Sequence, residues 1–301
     1  MCGICGFNWQ NKDLVTAMAE TIRHRGPDQS GIYCDGDVSL GHRRLSIIDL
    51  SEHGRQPMPN EDGSIQVVFN GEIYNFQEIK DDLVKKGHVF RGHSDTEAIV
   101  HAYEEYGLDA VHKFRGMFGF ALWDRKLKRL WLVRDRIGIK PIYYYFKDGK
   151  FLFASEIKAI LRDPLVAREV NHQAVYEYLG FEFVPAPNTM FKNIYKLPAG
   201  HHLLLQNGRI EIKPYWDLTF PAPAEKPAPL GETIEKLRAL LDESVKLRLI
   251  SDVPLGAFLS GGLDSSTVVA MMRRHVPGRL QTFTIGYPDK TFSELDYAQL
   301  V

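Results

Sequence analysis

Cysteine is scarce in this chain. Cys2, Cys5 and Cys34 are the only three in 301 residues. An odd number this small excludes a disulfide framework, and a reducing cytoplasm is the simplest home. Long apolar runs are also missing. No stretch approaches the roughly 18 residues a membrane span needs, so no membrane partner is expected. The N-terminus has no basic segment leading into an apolar one, so no signal peptide is expected. Neither sign of charge dominates, with 37 basic residues against 38 acidic. That balance argues against nucleic acid as a partner, because phosphate binding needs a basic excess. Three cysteines cannot build a four-cysteine zinc site, and no histidine pair is spaced for metal beside a cysteine. Cys5 and Cys34 therefore read as small buried residues.

What is present is a globular composition, 44% hydrophobic and 25% charged, with one conspicuous interruption. The stretch LTFPAPAEKPAPLGE, residues 218–232, alternates Pro221, Pro223, Pro227 and Pro229 with small residues. Such a segment stays extended and semi-rigid. It predicts domains at 1–217 and 233–301 joined by a linker.

The first region is rich in strand-like runs: IQVVFNG, MFGFALWD, RLWLVRD, PIYYYF and KFLFASE. Each is β-branched or aromatic and bounded by polar or turn residues. Two helices stand out. One places Phe76, Ile79, Leu83 and Val84 on a single face and closes at Gly87. The other opens with Ser94 and Glu97 at capping-box spacing and closes at Gly107. Many strands with separate helices predict layered α+β architecture with stacked sheets.

The second region reads helix, strand, helix, strand, as in a parallel α/β sheet. Ile234, Leu237, Leu241 and Val245 fall at helical spacing. SGGLDSS, residues 260–266, then sits where a strand ends and a helix begins. Two glycines allow close backbone approach, and free N–H groups at a helix start attract anions. The lysine of a Walker A loop is missing. Local chemistry leaves two readings open: a phosphate cradle, or a β-turn capped by Asp264.

The longer string DVPLGAFLSGGLDSS resembles the synthetase domain of glutamine-dependent asparagine synthetases, a branch of the N-type ATP pyrophosphatases. The start, MCGICGF, resembles class II glutamine amidotransferases of the N-terminal-nucleophile kind. RHRGPD (23–28), RLSIIDL (44–50), NGEIYN (70–75), SDTE (94–97), RDRIGIKPIYY and FASEIKAI follow in that family's order. The resemblance covers the whole chain. It implies an αββα sandwich followed by a partial α/β parallel-sheet ATP-pyrophosphatase domain.

For the first domain the resemblance implies that Cys2 is the nucleophile and that its own α-amine is the base. The free amine, with a pKa of about 7.7–8.0, lies close enough to a thiol at about 8.5 to exchange its proton. An amide nitrogen could not do this, so Met1 is expected to be removed. Asn70 and Gly71 are implied as the oxyanion hole, although NG alone reads as a hairpin turn. Arg44, Glu72 and Asp95 are implied to bind glutamine, with the backbone of Leu45, Ser46, Ile47 and Ile48 lining its site. The bland readings are a surface ion pair for Arg44 and a first-turn carboxylate for Asp95.

For the second domain it implies that Ser260, Gly261, Gly262, Asp264, Ser265 and Ser266 cradle the phosphates of ATP. Leu259 and Ile285 would lie at the adenine. Mg²⁺ would neutralise the polyphosphate, with no protein ligand assigned to it. The implied partners are glutamine, ATP and the acceptor aspartate, amidated through β-aspartyl-AMP, and a homodimer is admitted. The second domain is expected to be incomplete at Val301, leaving glutaminase chemistry at best. Two other readings stay open: an amidotransferase with a sugar or peptide acceptor, and a non-catalytic glutamine- or nucleotide-binding fragment.

Overall fold

The computed structural model describes residues 1–220, 228–289, 291 and 293–301. They fall into two units, Met1–Thr219 and Phe220–Val301. The core of the proline-rich segment, 221–227, lies outside the described residues.

In chain order the first unit contains β1 (Gly3–Phe7), α1 (Lys12–Thr21), β2 (Gln29–Cys34), β3 (Ser39–Arg44), β4 (Met58–Pro59) and β5 (Ile65–Ile73). Next come α2 (Phe76–Lys85), α3 (Asp95–Tyr106), β6 (Gly116–Asp124), β7 (Arg129–Arg134), β8 (Tyr143–Lys147) and β9 (Lys150–Ala154). The unit closes with α4 (Ile157–Ile160), α5 (His172–Phe181), β10 (Ile194–Lys196), β11 (His201–Gln206) and β12 (Arg209–Pro214).

The strands form two antiparallel sheets, ordered β10-β8-β9-β1-β3-β2 and β12-β11-β7-β6-β5-β4. Side-chain alternation explains the layering. In β5, Val67, Phe69 and Ile73 pack under α2 and α3, while Val68 faces the other sheet. In β1, Ile4 faces the second sheet, while Cys5 and Phe7 pack against Val15 and Met18 of α1. The result is helices, sheet, sheet, helices, the αββα arrangement that the motifs implied. Phe151, Phe153, Leu132 and Leu203 fill the space between the sheets.

Four details depart from expectation. Asn70 and Gly71 are not in a turn; they lie inside β5, opposite Gly119 and Phe118. Val84 is half exposed although Phe76, Ile79 and Leu83 are buried, because it lies at the edge of the apolar face of α2. Cys34 is only partly buried. At the start of α3, Ser94 caps Thr96 N–H, but the Glu97 carboxylate accepts from Arg91 and Gly92 N–H instead of closing the capping box on Ser94. It thereby ties the preceding loop to the helix.

The second unit contains α6 (Leu230–Leu247), β13 (Gly256–Phe258), α7 (Leu263–His275), β14 (Gln281–Phe283) and α8 (Leu295–Leu300). β13 and β14 pair in parallel around α7, as the helix–strand alternation predicted. The residue capping α7 is Gly262, and Asp264 sits inside the first turn. On α6, Val245 is buried, whereas Ile234, Leu237 and Leu241 are exposed. Among the described residues no helix is long and apolar enough to cross a membrane.

Candidate active site

The same alternation assembles a pocket at one end of the sandwich. Leu40, His42 and Arg44 of β3 share a face, as do Val68, Asn70 and Glu72 of β5. Cys2 has the parity of Ile4, so it lies on that face too. At the end of those faces Cys2, Arg44, Asn70 and Glu72 line a pocket of about 180 Å³ with Leu45, Ile47, Ile48, Asp95 and Lys140. Cys5, three residues on, has the opposite parity. It is fully buried on the outer face of the sheet, where burial pushes its thiol up to about 12. The two thiols of the CxxC spacing therefore cannot share a ligand.

Cys2 is held from several sides. Its Sγ accepts from Leu45 N–H at 3.4 Å. Its carbonyl accepts from Arg25 Nε at 2.9 Å, and Arg25 is anchored by Glu156 at 3.0 Å. A Cβ at Gly26 would run into the Arg43 backbone, so the RHRG turn needs its glycine to bring Arg25 there. Desolvation pushes the Cys2 thiol above its ordinary pKa; the Leu45 bond and the nearby terminal amine oppose this. Burial lowers the pKa of that amine, on Met1 in this chain, with Arg25 and Lys140 adding to the effect. The Met1 sulfur lies 3.3 Å from Lys140 Nζ, inside the pocket.

Asn70 is 1% exposed, and neither Nδ2 nor Oδ1 has a hydrogen-bond partner among the described residues. Leaving such groups unpaired costs about 1–3 kcal/mol each. Gly71 is required by packing, since a Cβ there would meet the Met117 carbonyl and the Phe118 backbone.

Arg44 enters the pocket, whereas Arg43 points away and pairs with Glu20. The Arg44 terminal nitrogens donate to Gln29 Oε1 (3.0 Å), Ser51 O (3.2 Å), Ile48 O (3.3 Å) and Asp49 O. Arg44 thus holds the 48–51 wall, and a Cβ at Gly54 would strike its guanidinium. Asp95 is 5% exposed and accepts from Ile73 N–H at 2.9 Å. Burial raises its pKa to about 7; the charge of Glu72 adds to the rise, and backbone N–H groups oppose it. Ser46 is the one expected residue outside the lining; its N–H bonds Asp28 at 2.8 Å.

Arg25, Lys140, Gln56 and Met117 were not singled out from sequence. Arg25 and Lys140 sit inside quoted motifs, RHRGPD and RDRIGIKPIYY, and their basic character was the available signal. Lys140 is 5% exposed, and burial lowers its pKa.

In the second unit, the loop before α7 is bound to itself. Ser260 and Ser265 hydroxyls lie 3.0 Å apart, and Gly262 N–H reaches Ser260 Oγ at 3.3 Å. Gly261 has φ +83°, and a Cβ there would collide with the Tyr297 backbone. The Ser266 hydroxyl is buried without a partner among the described residues. Leu259 is buried and Ile285 is 65% exposed.

Comparison with known proteins agrees with this geometry. Residues 1–216 match the family model "Glutamine amidotransferase domain", and residues 236–301 match "Asparagine synthase". Asparagine synthetase (glutamine-hydrolyzing) 1 of Bacillus subtilis is 38% identical over 99% of this chain and 48% of its own length. Amidase chyE of Penicillium rubens is 36% identical over 96% of this chain and 47% of its own. The chain thus spans about half the length of these curated relatives. Among solved structures, the glutamine phosphoribosylpyrophosphate amidotransferase of B. subtilis superposes with a TM-score of 0.53 at 15% identity, covering 100% of this chain and 70% of that one. That similarity supports the fold alone. With its αββα sandwich and the match across residues 1–216, this chain belongs to the glutamine amidotransferase family.

Proposed function

We propose that the first unit hydrolyses glutamine at Cys2 and that the protein is a glutamine-dependent asparagine synthetase. The observation that carries this reading is Asn70: a buried carboxamide without partners, lining the same pocket as the Cys2 thiol. Polar atoms left unpaired in a site suit a charge that forms only during reaction.

With Met1 removed, the amine belongs to Cys2. Burial beside Arg25 and Lys140, which lowers the present terminal amine, would keep it neutral and basic near neutral pH. It takes the thiol proton, and the thiolate attacks the glutamine side-chain carbonyl. Asn70 Nδ2 and the Gly71 N–H donate to the developing oxyanion. Collapse breaks the C–N bond, the ammonium on Cys2 protonates the leaving ammonia, and water then cleaves the thioester to glutamate. Asp95 and Glu72 bind the substrate ammonium. That charge favours ionised Asp95, offsetting the burial that raises it. Arg44 receives the carboxylate in place of its longest bonds, those to Ser51 and Ile48. Leu45, Ile47 and Ile48 wall the substrate, while Ser46, tied to Asp28, faces away from it.

In the second unit, the turn Ser260–Ser266 would hold ATP phosphates, with Leu259 and Ile285 toward the adenine. The orphaned Ser266 hydroxyl and the free N–H groups opening α7 fit a polyphosphate. Mg²⁺ arriving with ATP would neutralise its charge. Aspartate is the acceptor this reading assigns, with ammonia passing internally. A relative named as an amidase keeps open a second reading, in which the amide hydrolysis at Cys2 does not serve aspartate.

The test is incubation with glutamine. Glutamate and ammonia should appear in equal amounts, and Cys2→Ala should abolish both. Intact mass of the active protein should lack Met1; an active form retaining it would overturn the amine as base.

A further inference from the structure

Away from the pocket, two histidines converge on one carboxylate. His101 and Glu104 lie a turn apart on α3, and His88 comes from the segment after α2. Glu104 Oε2 is 2.9 Å from His101 Nδ1 and 3.7 Å from His88 Nδ1. One ligand atom from each of the three residues fits within a 4.8 Å span. An ion bound tetrahedrally at about 2.0–2.1 Å sets its ligands about 3.3 Å apart, between those two distances.

The surroundings match what metal-bound histidines need. The remaining ring nitrogens each face a carboxylate: His101 Nε2 lies 3.8 Å from Glu97 and His88 Nε2 3.4 Å from Glu105. Such partners fix tautomer and ring orientation in metal sites. Asn60 Nδ2 holds the other Glu104 oxygen at 2.8 Å. Glu61 Oε1 lies 3.8 Å from His101 Nδ1 at the rim of the cluster, which leaves the fourth position of the ion to water. Phe90 packs edge-on against His101 at 4.6 Å and limits water. His101 itself is 4% exposed. Four glutamates thus surround two rings, with Lys86 bonded to Glu105. A field this negative attracts a cation.

We propose that His88, His101 and Glu104 bind a divalent transition metal of the zinc type, which fastens the segment after α2 to helix α3. Imidazole with carboxylate suits zinc, cobalt or nickel better than magnesium. The site is structural: Asp95 opens the same helix six residues earlier, about 9 Å along its axis. Metal would therefore stiffen the helix that carries Asp95 without touching substrate.

The test uses the whole chain in a Cys2→Ala background, because a thiol beside a terminal amine also chelates. After dialysis against a chelator, the protein is titrated with Zn²⁺ alone and, separately, with Co²⁺. The expected result is one equivalent bound, tetrahedral d–d bands with cobalt, and a raised unfolding midpoint. His88→Gln, a partly exposed position that should leave the fold intact by circular dichroism, should abolish all three. Glu105→Gln should weaken binding by about tenfold or more. His93→Gln should change nothing. No stoichiometric binding in the Cys2→Ala chain, or a full equivalent retained by His88→Gln, would show the cluster to be only an ion-pair network.

Discussion

The two units differ in how much of their sequence they use for packing. In the first, both sheets are covered on both faces, and Trp131, Phe118, Phe120 and Phe151 are fully buried. In the second, among the described residues, Val245, Leu259, Val269 and Met272 are the buried apolar residues, while Leu230, Leu237, Leu240 and Leu263 are exposed. Yet each places an orphaned buried polar atom beside a glycine-dependent turn or strand: Asn70 by Gly71, Ser266 near Gly261 and Gly262. Site chemistry can therefore be read locally, whereas stability depends on how many layers close over it.

The sharpest way to separate the units is Cys2→Ala. Glutamine hydrolysis should fall by several orders of magnitude, while nucleotide binding followed by ATP titration stays unchanged. Loss of both would link the two sites. Next, Asn70→Ala should lower kcat for hydrolysis by about 10²–10³ with the fold retained. A drop under tenfold would remove Asn70 from the oxyanion hole.

The packing contrast has its own test. Leu132→Ala, between the sheets, should cost about 2–5 kcal/mol in denaturant unfolding. Leu240→Ala, 50% exposed on α6, should stay within about 0.5 kcal/mol. Equal losses would mean that α6 is as well covered as the sandwich.

Two pH experiments probe the first unit more finely. Asp95 titrates near 7 in the fold against an ordinary 3.8. The folded protein therefore holds a proton that the unfolded chain has lost, and stability falls as pH rises from about 4 through 7. Asp95→Asn should flatten that slope, and it should remove a rise in kcat/KM for glutamine across pH 7. An unchanged profile would exclude Asp95 from ammonium binding. His42 behaves oppositely: burial lowers it to about 3, while its ring bonds Phe69 O at 3.0 Å. Its contribution is present above 6.5 and lost as pH falls toward 3. His42→Gln should therefore reduce acid sensitivity, as followed by thermal melts from pH 7 to 4.

Much of the fold was legible because its signals are local. The runs IQVVF, RLWLV and KFLFA became β5, β7 and β9, and Ser94 and Gly107 bounded α3. Misreadings came where a partner element decided. NG is a turn signal by itself, but pairing with β6 drew Asn70 and Gly71 into a nine-residue strand. Val84 lies just outside the face of α2 that Phe76, Ile79 and Leu83 bury, and spacing alone does not fix that edge. For Lys140 and Arg25 the basic character inside the motifs is too weak a signal, because their importance lies in what folds against them, from over 100 and 20 positions away.

By itself the sequence determined the two-part organisation, the strand-rich first unit, the parallel α/β second unit and the motifs that carry Cys2, Asn70, Asp95 and the 260–266 turn. Periodicity and turn chemistry act over a few residues and can be read without a fold. Only the tertiary structure decided which face each strand turned inward. Two-residue alternation allows either choice, and burial against another layer selects one. That selection set Cys2 inside the pocket and Cys5 outside it. It also chose Arg44 over Arg43, left Asn70 without a hydrogen-bond partner among the described residues at the pocket, and brought His88 to His101.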